Sequence, residues 1–426
     1  MLRIPNTEQR IWQQYHQFAL FFHFGINTFH EREWSDGSLD PTSFSPTDLN
    51  CQQWVRIARQ SGAAHVILTA KHHDGFCLWP TSTTDYSVAS SPWKQGAGDV
   101  VGELARACAD AGIGLGLYLS PWDRHDPDWS ENPALYDERY VRQLTELCTN
   151  YGPLTELWFD GAGSEQHAYD WDAIVGVVRE HQPNALIFNI GDPDIRWIGN
   201  EDGLANDPVW YETDALDFSM YSDDQKHWSA GTKYCPPECD VPMRAHWFWQ
   251  PDDLDSLKSV DHLMAIWYRS VGLGANLLLN VGPDRSGRID PNDERRLLEF
   301  TAERERRFSN PIHAQIDHQG QHVIVDFGTT VSIDHIELRE HLECGQRVRF
   351  HRVLEADGSV LIENVLSIGS QRIHAHRRVE ARQLMIELEG EGATLDSVRA
   401  WLTGHEAPPE LERQTKAKSA KFEDVT

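Results

Sequence analysis

The chain has 426 residues, of which 40% are hydrophobic and 24% charged, so it can form one large domain and a smaller one. Its formal net charge is −28, which argues against nucleic acid and anionic membranes as partners, because both require a basic surface. The 7 cysteines lack the spacing of a zinc site, and we expect no disulfide framework. The N-terminus has no cleavable-leader pattern, so we expect a cytoplasmic protein, with secretion after removal of a leader left open.

Apolar runs alternate with amphipathic segments over the first 306 residues. The runs are continuous, which is typical of parallel strands covered on both faces. Predicted strands are 18–26, 64–70, 113–119, 156–160, 185–190 and 275–281, with less certain ones at 217–221 and 245–249, and predicted helices include 99–112, 135–152 and 252–272. This rhythm indicates a (β/α)₈-like (TIM-type) barrel. A doubly wound α/β sheet is the alternative, weakened because no G-x-G-x-x-G follows the first strand.

The pattern changes after about residue 311. Hydrophobic and polar residues then alternate, with turn signals at strand-length spacing, which predicts a small antiparallel β-sandwich. We therefore predict a barrel over residues 1–308, a sandwich over 309–405 and a disordered tail over 406–426. We interpret the sandwich as a packing domain, and carbohydrate binding is the alternative role.

A carboxylate, Asp160, ends the fourth apolar run in the stretch ELWFDGAGS. A charge there is costly to bury unless it is paired or hydrogen-bonded. An Asp-Gly turn is one explanation, and a catalytic carboxylate at the mouth of a barrel is the other. The other strand ends favour the second explanation, since they carry His23, His72, His73, Asp74, Tyr118, Arg196, Glu201 and Asp202.

Two carboxylates acting together are the simplest means of cleaving a glycosidic bond. Asp160 suits the nucleophile, and the candidates for the second group are Glu201, Asp202, Glu212, Glu238 and Asp240. His72 and His73 are adjacent, so in a regular strand their rings would point to opposite faces and could not share a metal ion. We predict no metal or cofactor, and neutral histidines that bind hydroxyls if the backbone turns there.

Several segments resemble the α-L-fucosidases of glycoside hydrolase family 29, over roughly residues 8–306. They are FFHFGINTF, REWSDG, FSPTDLNCQQWV, ILTAKHHDGFCLWPT, GLGLYLSPWDRHDP, ELWFDGA, RWIGNEDG and LLLNVGPDRSGRID. The resemblance implies a (β/α)₈-like catalytic barrel, a C-terminal β-sandwich, a fucosylated glycan substrate and retaining hydrolysis through a covalent fucosyl-enzyme.

The resemblance also implies roles for individual residues. Asp160 of WFDG matches the nucleophile, and Glu201 of GNE matches the acid/base of the subgroup that cleaves α-1,3 and α-1,4 linkages on Lewis-type glycans. The residues that match sugar-binding or pocket positions are His23, Glu33, Trp34, His72, His73, Tyr118, Arg196 and Trp247. That subgroup usually has a segment like DVSIRPGWFYH where this chain reads DVPMRAHWFWQ, at residues 240–250, so leaving-group preference is the least determined property.

The leading hypothesis is therefore an exo-acting retaining α-L-fucosidase for α-1,3/1,4 linkages. A fucosidase of broad, α-1,2 or aryl-fucoside specificity is the alternative within enzymes. A catalytically silent fucose-binding lectin is the alternative from another class, which the presence of both Asp160 and Glu201 disfavours. The sequence does not indicate an oligomeric state.

Overall fold

A barrel of eight parallel strands forms the larger part of the protein, whose computed structural model describes residues 4–164, 166–213 and 233–412. The first ten strands are β1 (Phe18–Phe22), β2 (His65–Lys71), β3 (Gly114–Leu119), β4 (Glu156–Trp158), β5 (Leu186–Phe188), β6 (Arg196–Trp197), β7 (Glu212–Thr213), β8 (Lys233–Tyr234), β9 (Pro237–Pro242) and β10 (Asn276–Asn280). β7 and β8 form a separate antiparallel pair. The other eight follow the order β5-β4-β3-β2-β1-β10-β9-β6, and a parallel bridge between Phe188 and Ile195 brings the two ends of this sheet together.

Nine α-helices occur in the described residues, and most of them cover the outside of the barrel. They are α1 (Thr7–Tyr15), α2 (Ile26–His30), α3 (Cys51–Gln60), α4 (Val100–Ala111), α5 (Asp128–Glu131), α6 (Pro133–Asn150), α7 (Trp171–His181), α8 (Val260–Arg269) and α9 (Pro291–Phe308). In α4 the side chain of Asp99 accepts from the N–H of Gly102, and Gly112 ends the helix at φ 65°. None of these helices combines the length and the apolarity that crossing a membrane would need.

The base of the barrel, where the strands begin, is closed by α1. Trp12 of this helix is buried among apolar side chains of the barrel interior, including Phe21, Ile67 and Trp158. The amide of Asn276 donates to the carbonyl of Trp12 at 3.2 Å, which ties the helix to β10. Loops lie at the opposite end of the barrel, where the strands finish.

The C-terminal part is a seven-stranded antiparallel sheet with its own apolar core. Its strands are β11 (Ile312–His313), β12 (Gln315–Gln319), β13 (His322–Glu340), β14 (Phe350–Glu355), β15 (Val360–Leu366), β16 (Arg372–Glu389) and β17 (Leu395–Trp401). The long pair β13 and β16 shifts register between Asp326 and Val331 and again between Ile333 and His335. The apolar core of this domain contains residues from the first and the second half of both β13 and β16. This one long pair of strands therefore contributes to both layers of the sandwich.

The fold class predicted from the sequence is confirmed: a nearly closed parallel barrel precedes a separate antiparallel β-domain. The less certain strand at 245–249 is wrong, because the seventh barrel strand is β9 and residues 243–250 form a loop. In that loop the N–H groups of Ala245 and Trp247 bond side-chain oxygens of Ser256 and Glu33 instead of a neighbouring strand. The predicted strand at 217–221, and all of the predicted tail beyond residue 412, lie outside the described residues.

Candidate active site

The polar residues singled out in the sequence gather at the end of the barrel where the strands finish. Because all eight strands run in parallel, their C-terminal ends meet on one face, and the loops that follow enclose a pocket there. The residues that the structure brings to this face are His23 after β1, His72 and His73 after β2, Tyr118 near the end of β3, Asp160 after β4, Glu201 after β6, Trp247 after β9 and Asn280 at the end of β10.

Asp160 is held by donors on both carboxylate oxygens. The hydroxyl of Tyr118 donates to Oδ2 at 3.0 Å, and the N–H of Ala162 donates to Oδ1 at 2.9 Å. Nε2 of His73 lies 3.6 Å from Oδ2, and a quarter (25%) of the Asp160 side chain remains exposed. The acid that closes the buried fourth strand is therefore both stabilised and open to the pocket, as an attacking carboxylate must be.

Three buried histidines line the pocket floor. Nδ1 of His23 lies 2.9 Å from Oδ1 of Asn280, an oxygen that can only accept, so the proton is on Nδ1 and Nε2 is an acceptor. His73 makes the equivalent contact to Ser120 through Nδ1 at 2.7 Å, while the Ser120 hydroxyl donates to a carbonyl. Burial lowers the pKa of His23 to about 3 and that of His73 to about 4, and it also holds the pKa of His72 well below its ordinary value. All three imidazoles are neutral near pH 7.

The pair His72 and His73 lies just past the end of β2, where the regular strand has finished at Lys71. Their ring centroids are 4.2 Å apart, so the two rings do not project to opposite sides of a sheet. The ring of His72 also stacks on that of Tyr118, at 5.7 Å with 14° between the planes. The turn that the sequence argument required is present, and both rings border the same pocket.

Aromatic rings form two walls beside these histidines. On one side Trp34 and Trp122 contact His73, with ring centroids 5.3 and 5.2 Å from it. On the other side Trp247 lies 4.9 Å from His23, and Phe248 lies 5.1 Å from His72. The pocket thus combines apolar faces with neutral hydrogen-bonding groups, a combination that suits a neutral sugar.

Glu33 fixes the loop that carries Trp247. Its Oε2 accepts from the backbone N–H of Trp247 at 3.0 Å, and the carbonyl of Trp247 accepts from the Asn280 amide at 2.8 Å. Burial raises the pKa of Glu33 to about 7. Asn280 therefore joins His23 to Trp247. Asn280 lies in the LLLNV motif and was not predicted as a site residue, although it ends a buried strand with a polar group, as Asp160 does.

Glu201 is the second carboxylate of the site. The indole N–H of Trp247 donates to its Oε2 at 3.4 Å, and the side chain is exposed at the pocket rim. The protein atoms around the carboxylate and the negative charge of Asp160 raise its pKa above the ordinary value. Since the charge of Asp160 affects Glu201, the two groups share one electrostatic environment. Arg196 lies on β6 and donates to the carbonyl of Trp210 at 3.2 Å.

The other four candidates for the second carboxylate differ from Glu201 in their position or their burial. Asp202 is exposed next to Glu201, and Glu212 belongs to the β7–β8 pair. Glu238 is buried near the base of the barrel, where it accepts from the indole of Trp158. Asp240 is buried and accepts from the indole of Trp197 at 2.7 Å, and burial together with the charge of Glu201 raises its pKa well above the usual range.

Comparison with known proteins agrees with this geometry. The family model described as alpha-L-fucosidase matches residues 4–302. The chain is 39% identical to alpha-L-fucosidase 1 of Arabidopsis thaliana over 434 aligned residues, which cover 91% of this chain and 85% of the plant protein.

Two solved structures show the same architecture. A glycoside hydrolase 29 family member from an unknown rumen bacterium superposes with a TM-score of 0.85 at 32% identity, covering 99% of this chain and 80% of that one. A Ruminococcus gnavus GH29 fucosidase in complex with fucose superposes with a TM-score of 0.82 at 26% identity, covering 94% and 95%.

Proposed function

The chain belongs to the α-L-fucosidases of glycoside hydrolase family 29, and from this we propose that it releases terminal α-1,3- and α-1,4-linked L-fucose with retention of configuration. The enzyme class follows from the family, and the linkage, the stereochemistry and the residue roles are the proposal. The observation that carries it is the pair formed by Asp160, oriented by the Tyr118 hydroxyl, and Glu201, whose pKa is raised by burial and by the charge of Asp160.

In the first step Asp160 attacks the anomeric carbon of the fucosyl group. The bond from that carbon to the leaving oxygen breaks, and Glu201 gives its proton to this oxygen. A raised pKa favours this role, because it keeps the carboxyl protonated at a pH where an ordinary glutamate has lost its proton. The products of the step are a fucosyl ester on Asp160 and a free alcohol.

In the second step water attacks the same carbon and displaces Asp160. Glu201, now a carboxylate, takes a proton from that water. Forming the ester removes the negative charge of Asp160, which was one cause of the raised pKa of Glu201. The loss of that charge lowers the pKa of Glu201, so after its proton has passed to the leaving oxygen the group stays a carboxylate and can act as the base.

Recognition of fucose rests on the neutral histidines and the aromatic walls. An imidazole with its proton on Nδ1 presents Nε2 as an acceptor for a sugar hydroxyl, which His23 and His73 both do. The Ruminococcus gnavus relative was solved with fucose bound, which supports the same sugar here. We assign binding of fucose to His23, His72 and His73, contact with its apolar face to Trp34 and Trp247, and support of the pocket to Glu33, Tyr118 and Arg196.

The linkage proposal rests on the segment that carries Glu201 and on the loop that follows β9, within residues 240–250. The RWIGNEDG segment matches the Lewis-type subgroup, and Trp247 contacts its glutamate. In residues 240–250, where the sequence differs from that of the subgroup, Arg244 is buried and bonds Asp253 at 2.7 Å and Asp293 at 2.9 Å. Nδ1 of His246 lies 3.2 Å from Asp253. These ion pairs hold the loop in place although it lacks the Arg-Pro-Gly sequence usual in the subgroup. Trp247 of this loop lies beside Glu201.

The test is hydrolysis of Lewis-type trisaccharides in parallel with 2′-fucosyllactose, with the first-formed anomer of fucose followed by proton NMR. The proposal expects α-L-fucose to appear first and the Lewis-type substrates to be turned over faster. Release of β-L-fucose first would contradict the roles given to both carboxylates. Equal rates on all linkages would favour the broad-specificity alternative and leave the mechanism in place.

A further inference from the structure

At the base of the barrel, opposite the catalytic pocket, three potential metal ligands converge on one point. They are His65, the first residue of β2, Glu156, the first residue of β4, and Glu238, the second residue of β9. One ligand atom from each lies within 4.8 Å of the other two. All three side chains are fully buried or nearly so, with exposed fractions of 0, 0 and 1%.

From this geometry we propose that the base of the barrel is a binding site for one divalent transition-metal ion, for which Zn²⁺ is the best match. A tetrahedral zinc ion with bonds of about 2.0–2.1 Å holds neighbouring ligand atoms about 3.3 Å apart. Nε2 of His65 lies 3.4 Å from Oε2 of Glu156, close to that spacing. Imidazole nitrogen and carboxylate oxygen are both ligand types that zinc accepts.

Two atoms of the cluster point to a missing partner. Nε2 of His65 has no hydrogen-bond partner among the described residues, and its contact with Glu156 lacks the alignment of a hydrogen bond. In the same part of the chain no N–H or hydroxyl donates to Oε1 of Glu156. Fully buried polar atoms of this kind are rare, because each one costs free energy unless a partner compensates it. An ion at the convergence point would take a lone pair from each of them.

Each of the three candidate ligands also contacts a second polar side chain. Nδ1 of His65 lies 3.1 Å from Nδ1 of His16, so His65 can donate there and keep the Nε2 lone pair for an ion. The indole N–H of Trp12 donates to Glu156 at 3.3 Å, and the indole N–H of Trp158 donates to Glu238 at 3.1 Å. Each ligand is thus oriented by a second residue, as ligands of metal centres usually are.

Charge balance favours a divalent ion. Two carboxylates in an apolar interior are strongly destabilising unless their charge is compensated. In the absence of an ion, two carboxyl groups this close together in an apolar interior are compensated by protons. A divalent cation would replace those protons and leave the site neutral. Such an ion would join β2, β4 and β9 at the end of the barrel that α1 covers, and it would act on stability, not on the reaction.

The experiment uses the full chain, unfolded in denaturant with a chelator and refolded with or without zinc chloride, because a buried site exchanges slowly in the folded protein. After desalting, wild type refolded with zinc should retain about one zinc per chain by elemental mass spectrometry. It should also melt at a higher temperature than wild type refolded with chelator. Catalytic constants in the two preparations serve as a check that both are folded.

The deciding variant is Glu238→Gln, which keeps the size of the side chain and can still hydrogen-bond Glu156 but is a poor metal ligand. Its zinc content should fall at least about tenfold and its melting temperature should not respond to zinc. Glu340→Gln, which changes a different buried carboxyl in the β-sandwich, should retain zinc like wild type. The proposal is overturned if wild type retains less than about a tenth of an equivalent, or if Glu238→Gln retains as much as wild type. Should Glu238→Gln fail to fold, the wild-type zinc content decides.

Discussion

The hydroxyl of Tyr118 lies 3.0 Å from Oδ2 of Asp160 and donates to it. Tyr118 is buried, its ring stacks on Trp158, and burial beside the Asp160 charge raises its pKa far above any working pH. The hydroxyl therefore stays protonated and keeps the carboxylate in one orientation. A residue on the neighbouring strand thus holds the proposed nucleophile in one direction.

Tyr118→Phe should reduce kcat about 10- to 100-fold, because a hydrogen bond to a charged group contributes about 1.5–3 kcal/mol. The phenyl ring retains the stacking on Trp158, so the melting temperature should change little. Steady-state kinetics on an aryl fucoside, with thermal denaturation as the control, test this. Wild-type kcat in the variant would show that the hydroxyl does not orient the nucleophile.

Asp160→Asn should lower turnover by about 10⁴-fold or more, because the covalent step is lost. It should also lower the pKa of Glu201, since the charge of Asp160 is one cause of its elevation. The second effect can be followed by NMR titration of selectively labelled glutamate. An unchanged Glu201 titration would mean that the two carboxylates do not interact, and the proposed exchange of roles between the steps would then lack its cause.

Glu201→Ala should slow substrates with poor leaving groups by about 10²–10⁴-fold, as loss of a general acid does. Aryl fucosides whose leaving group needs no proton should form the fucosyl-enzyme at a near-normal rate, and azide should restore turnover by replacing the activated water. Fucosyl azide of retained configuration is the expected product. An equal loss on all substrates without azide rescue would transfer the role to another acid.

His23 and His73 should contribute no inflection near 6.5 to the acidic side of the pH–rate profile. The pKa of His23 is lowered to about 3 and that of His73 to about 4, so binding that requires neutral imidazoles is kept until the pH falls toward those values. On the alkaline side the rate on natural glycans should fall as Glu201 loses its proton, at a pH above the ordinary range of a glutamate. Measurement of kcat/KM from pH 4 to 9 tests the alkaline side, and NMR titration of the imidazole protons tests the acidic side. Titration of His23 or His73 near pH 6.5 would contradict the burial argument.

Trp247→Phe should weaken selectivity between linkages more than it affects aryl fucosides. The variant loses the indole N–H that bonds Glu201, but the backbone contacts of residue 247 with Glu33 and Asn280 do not depend on the side chain. We expect a loss of about 3- to 10-fold on Lewis-type substrates, as for one modest hydrogen bond. A parallel loss on both substrate types would place Trp247 in the fucose pocket alone.

Much of the barrel could be predicted from the sequence because its strands are short apolar runs covered on both sides. The predicted strand at 64–70 is observed as His65–Lys71, and that at 275–281 as Asn276–Asn280. β6 was missed because it is only two residues long, and β9 because its sequence PECDVP has two prolines and two acids. Those acids point into the barrel, where indole donors hold them, and no apolar periodicity reveals such an arrangement.

The site was predictable where a polar residue directly follows a buried run, as for Asp160 and His23. Contacts between distant loops were not. The bond from Trp247 to Glu33 spans 214 positions, and the hydrogen bond between His23 and Asn280 spans 257. No local pattern encodes such pairs, because they form only once the strands have closed the barrel.

The two ends of the barrel sheet meet through the single bridge between Phe188 and Ile195, and the segment bearing Glu201 begins beside it. Asp160, by contrast, follows β4, which is hydrogen-bonded to β3 on one side and to β5 on the other. Replacing the segment after β6 would therefore disturb few backbone hydrogen bonds. An insertion in β4 would break its hydrogen bonds with both β3 and β5. In this architecture the proposed proton donor lies on a segment that can be exchanged, and the proposed attacking group lies on one that cannot. New leaving-group preferences could therefore arise where the two ends of the sheet meet while the barrel stays unchanged.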